Sequence, residues 1–131
     1  MMTKERLKAY RSQLYEIRQL RSQLADLEAR MYSPRGQSLT GMPSGGGSGR
    51  SIEDITASHV RLTELYKQKL YALETEQKAV EDAIDSLEPV ERTVLRHRYI
   101  EGLTWEEIEK RMFFYSSHLR RIHNRAIEKL Q

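Results

Sequence analysis

Apolar side chains recur through the first thirty-odd residues at Leu7, Tyr10, Leu14, Ile17, Leu20, Leu24, Leu27 and Met31. The steps are three or four residues throughout, the repeat that lines one face of an α-helix. Thr3 stands where an N-cap belongs. A second stretch repeats the pattern at Ile52, Ile55, His59, Leu62, Tyr66, Leu70, Leu73, Gln77, Val80, Ile84 and Leu87, with Ser51 and Asp54 placed as an approximate capping box. Each stripe is backed by a charged face, so neither rod is stable by itself. The pattern therefore predicts an antiparallel helical hairpin over residues 1–88, a coiled-coil-like stem that a homodimer could double.

Glycine and proline divide the chain in the same places. Six of the seven Gly lie between Gly36 and Gly49, and the Pro are Pro34, Pro43 and Pro89. Residues 33–50 thus read as a flexible Gly/Ser-rich linker between the rods. Its segment GGGSGRS faintly resembles a phosphate-cradling loop. A P-loop, however, needs glycine where Ser44 stands and lysine where Arg50 stands, and it follows a strand rather than a helix.

From Leu87 the period breaks into three short segments, the reading for 89–131 being a compact helix-turn-helix. Pro89 suits a first helical turn, and Val90, Val94, Leu95 and Tyr99 are expected inward on a helix running to about Ile100. Gly102 suits a left-handed stop. Thr104 and Glu107 form a capping box for a two-turn helix carrying Ile108 and Met112 inward. Phe113, Phe114 and Tyr115 cross a corner, and Ser116 or Ser117 caps a last helix that buries Leu119, Ile122, Ala126, Ile127 and Leu130. The fold class is all-α: hairpin stem, then three-helix domain.

Composition narrows the chemistry. Of 131 residues 31% are charged and 38% hydrophobic, so no large core can form, and the absence of Cys removes disulfides, thiolate metal sites and thiol nucleophiles. No apolar run approaches the roughly 20 residues of a membrane span, and MMTKERLKAY lacks the apolar core of a signal, which predicts a cytoplasmic protein. The net charge is only +3. Its distribution says more: residues 51–88 hold nine acids and four bases, whereas 110–131 hold six bases and one acid. The acids of the second rod are expected to solvate its outer face. On the last helix Arg120, Arg121, Asn124 and Arg125 interleave with the buried positions and face outward, where Arg can read guanine and Asn adenine.

These residues carry a resemblance. The stretch LEPVERTVLRHRYIEGLTWEEIEKRM, continuing through HLRRIHNRAIEKL, resembles region four of bacterial sigma factors, the module that reads the promoter −35 element. Matching positions include Leu87, Glu91, Arg92, Val94, Leu95, Arg98, Tyr99, Gly102, Leu103, Thr104, Glu107, Ile108, Arg125, Ala126 and Leu130. The corner departs from the family's Leu-Gly-Val-Ser by reading Met112-Phe113-Phe114-Tyr115. The resemblance implies double-stranded promoter or operator DNA as partner and puts Ser116, Ser117, His118, Arg120 and Arg121 at base- and phosphate-facing positions. With the outward-facing Asn124 and Arg125 and the cap residue Thr104, these are the expected DNA contacts. The rest of the chain lacks the core-binding region of a complete sigma factor. Long helices and a Met-Pro-x-Gly-Gly-Gly linker ahead of such a module are similar to the RinA and ArpU families of phage late-gene activators. That similarity implies action with host RNA polymerase in a bacterial cytoplasm.

No catalytic constellation accompanies these features. His118 and His123 fall on different helix faces, His59 and His97 on separate segments, and without Cys no metal site is expected. Glu106 and Glu107 are accounted for by the positive end of a helix dipole. The chain reads as a non-enzyme without cofactor. Three other readings stay open at this point: a small terminase subunit, a coiled-coil adaptor whose terminal module binds protein alone, and a region-four mimic that occupies polymerase without touching DNA.

Overall fold

The computed structural model describes residues 1–32 and 51–131. The expected linker at 33–50 lies outside the described residues. The described chain is all-α: α1 (Lys4–Tyr32), α2 (Ile52–Asp85), α3 (Pro89–Leu95) continued by a π-helical turn (Arg96–Ile100), α4 (Trp105–Met112) and α5 (Ser116–Leu130). Two compact units result, Met1–Tyr15 with Tyr71–Gln131, and Glu16–Leu70. Each long helix contributes one segment to each unit.

Local chemistry starts the helices where the sequence places them. The Thr3 hydroxyl accepts from the Arg6 N–H at 3.2 Å, and the Ser51 hydroxyl from the Asp54 N–H at 3.0 Å. Within the smaller unit the two segments run antiparallel, with Glu16 paired to Lys69, Arg21 to Tyr66, and Glu28 to His59. Ile17, Leu20 and Leu27 are buried there, as the stripe predicts. The stripe of α2 is shallower: Ile55, Leu62 and Tyr66 are half-buried, and Ile52 is 77% exposed.

The larger unit holds the deepest packing. Leu7 and Tyr10 of α1 and Leu73, Val80 and Ile84 of α2 are buried, as are Leu87, Leu95 and Tyr99. Val94, Ile108, Leu119 and Ile122 form a cluster joining α3, α4 and α5, with Leu103, Trp105, Met112 and Phe114 packed against it. Val90 is the exception to the expected inward set, being 47% exposed. It falls in the first turn after Pro89, and the buried side of α3 is carried by Glu91, Val94 and Leu95 instead. The buried Glu91 carboxylate meets the Lys129 ammonium at 2.9 Å and accepts from the Glu88 N–H, tying the start of α3 to the end of α5.

The acids of α2 do more than solvate its surface. Glu76 binds Arg6 of α1, at 2.9 Å from Nη2, and Glu81 and Asp85 both lie against Arg96. The Arg6 hydrogen bond and charge hold the Glu76 carboxyl below its usual range against the opposing effect of burial.

Candidate nucleic-acid interface

The site is built on two turns and the helix they orient. After α3 the backbone widens: Glu101 N–H donates to Arg96 C=O across five residues, in place of the uninterrupted α-helix expected to Ile100. Gly102 then turns the chain at φ 75°, the left-handed stop expected of it. Thr104 caps α4, its hydroxyl accepting from Glu107 N–H at 3.2 Å and its own N–H donating to the Glu107 carboxylate at 2.8 Å. The Thr104 backbone N–H, and after it the Thr104 hydroxyl, hold the Glu107 carboxyl below its usual range.

Phe113 ends α4 in the left-handed conformation, φ 56°, and its N–H closes on Glu109 C=O. Tyr115, not Ser116 or Ser117, is the N-cap of α5, and it supplies no side-chain hydrogen bond. Both serines are therefore inside the first turn. The reason lies at the corner, where Phe113 takes the left-handed position and Phe114 turns inward onto the core, leaving the extended residue before the helix to Tyr115. Phe113 and Tyr115 are 91% and 86% exposed.

On α5, Leu119, Ile122, His123, Ala126 and Ile127 are buried. Ser117, His118, Arg120, Arg121, Asn124 and Arg125 are exposed, and Ser116 is half-buried. Seven of the eight sequence-predicted contact residues thus share this helix; Thr104, also exposed, stands at the start of α4. No hydrogen bond or ion pair engages the guanidinium groups of Arg120, Arg121 or Arg125 among the described residues. His118 rests edge-on against Phe114, ring centroids 4.7 Å apart.

His123 is a buried residue of α5 that the sequence reading missed. Its Nε2 lies 2.7 Å from the Tyr99 hydroxyl, and Trp105 meets its ring edge-on. Burial pushes the imidazole below its ordinary range, opposed by the Asn124 hydrogen bond and reinforced by the charges of Lys4, Arg98 and Lys8. The signal was present: position 123 is four after Leu119 and three before Ala126, inside the apolar stripe.

The same unit contains an open cleft of about 570 Å³. Lys4, Lys8, Arg11 and Ser12 of α1 form one wall; Arg98, Tyr99 and Trp105 form another; Arg120, His123 and Asn124 of α5 complete it. Arg98 stacks over the Trp105 ring at 4.6 Å and donates to Leu103 C=O. Burial, then the neighbouring Arg11, lowers the Arg98 guanidinium from its ordinary value. Arg11 donates to the carbonyls of Arg98, Gly102 and Leu103, so a cation of α1 satisfies the carbonyl-rich end of the turn before α4.

A short capped helix, a corner, and a longer helix with one buried and one cationic face define a helix-turn-helix. Residues 83–131 match the family model of Sigma-70, region 4. This segment is a sigma region 4-like helix-turn-helix, a class of module that binds DNA in transcription regulators. No curated protein and no solved structure matches the chain. Among the described residues no helix is long and apolar enough to cross a membrane.

Proposed function

We propose that the protein is a sequence-specific DNA-binding transcriptional regulator that inserts α5 into the major groove of a promoter or operator. Ser116, Ser117, His118, Arg120, Arg121, Asn124 and Arg125 meet bases and phosphates, and Thr104 meets the backbone at the start of α4. The observation that carries this reading is a helix held by its apolar side while Arg120, Arg121 and Arg125 stay exposed and uncommitted. Arg reads guanine bidentately and Asn reads adenine, and helix N-terminal amides favour phosphate. The similarity of the long helices and module order to phage late-gene activators supports activation with host RNA polymerase as its role. The stem of residues 1–88 then sets a homodimer, whose two half-sites would be separated by whole helical turns.

Footprinting on DNA flanking the protein's own gene tests the proposal. A discrete protected site supports it. Uniform or absent protection, with polymerase or another protein captured instead, assigns the module to protein contacts and makes the chain an adaptor.

A further inference from the structure

We infer that the cationic cleft between α1 and α5 is a phosphate site, and that the DNA backbone flanking the groove occupied by α5 fills it. The inference rests on the DNA-binding reading and adds the first turns of α1 to the contacting surface. Lys4, Lys8, Arg11, Arg98 and Arg120 line this one cleft, and no carboxylate lies among its lining residues.

Gathering like charges opposes folding unless an anion offsets them. Two of the five cations are fixed by the protein itself, Arg11 on three backbone carbonyls and Arg98 on Leu103 C=O and the Trp105 ring. Lys4, Lys8 and Arg120 have no hydrogen-bond or ion-pair partner among the described residues. They are the groups left to bind. The occupant is identified by continuity: Arg120 and Asn124 belong both to the exposed side of α5 and to the cleft wall. A strand seated against α5 therefore carries its phosphates to Lys4 and Lys8.

The test compares the full chain with the double variant Lys4→Ala, Lys8→Ala on a mixed-sequence duplex of roughly two helical turns, across a salt series. Two lost phosphate contacts should make the slope of log affinity against log salt shallower by about 1.8. The loss should be similar on any sequence, because phosphate contacts carry no base information. The single variant Lys8→Gln, at an exposed position, should be shallower by about 0.9 and settles the matter if the double variant folds poorly. An unchanged slope in Lys8→Gln, with the native chain binding normally, overturns this inference alone. No duplex binding by the native chain overturns the DNA reading and this inference with it. Protection of the chain against urea by inorganic phosphate, with the variant slopes unchanged, would give the cleft to a free anion and overturn the DNA assignment.

Discussion

Phe113 occupies a backbone region that a side chain with a Cβ enters at a cost of about 1–2 kcal/mol. Its ring is almost wholly exposed, so little packing offsets that cost. Phe113→Gly should raise stability by about 0.5–1 kcal/mol after the greater freedom of glycine in the unfolded chain is counted, measurable as a higher urea midpoint. The buried His123 makes a second prediction. Its folded pKa lies below the unfolded value of about 6.5, so the unfolded chain binds the proton more readily. The stability this residue contributes is complete above about pH 6.5 and is lost as pH falls through the depressed folded value. Urea titrations at successive pH values should show that decline, and His123→Gln should flatten it. At this scale the sequence speaks clearly where a bond is local. Thr104 with Glu107, Gly102 and Pro89 act within three or four residues, and each occupies its expected place. The Tyr115 cap was hidden because the corner depends on which aromatic turns inward, a choice made by the core.

Helix α5 was readable as an element for a different reason. Its buried positions, Leu119, Ile122, Ala126 and Ile127, repeat at helical spacing, so the opposite side carrying Arg120, Arg121, Asn124 and Arg125 follows from geometry. Arg121→Ala should weaken binding to the specific site by about 1–3 kcal/mol, as for one lost bidentate base contact. Because Arg121 is exposed, folding stability should shift by less than about 0.5 kcal/mol. A variant that keeps the native affinity and footprint would show that this arginine faces away from the bases. The π turn at Arg96–Ile100 gave no such warning, since its residues continue an ordinary helical pattern and only the long hydrogen bond from Glu101 to Arg96 distinguishes it.

In the larger unit the first turns of α1 pack with the helix-turn-helix, and Arg11 supplies three hydrogen bonds to the turn that positions α4. Nothing local in the sequence pairs residue 11 with residues 98 to 103: Arg11, four after Leu7 and three before Leu14, borders the apolar stripe, but its partners are backbone carbonyls common to every residue. Arg11→Gln should destabilise the chain by about 2 kcal/mol, the scale of hydrogen bonds from a charged donor, read from urea unfolding. A DNA-binding role for the molecule requires that cations on this unit meet phosphate. Affinity for duplex DNA, measured from low to high salt, tests that most directly. The predicted result is a straight fall of log affinity with log salt, about −0.9 for each phosphate neutralised. Affinity indifferent to salt, or no affinity for duplex at any salt, would contradict it.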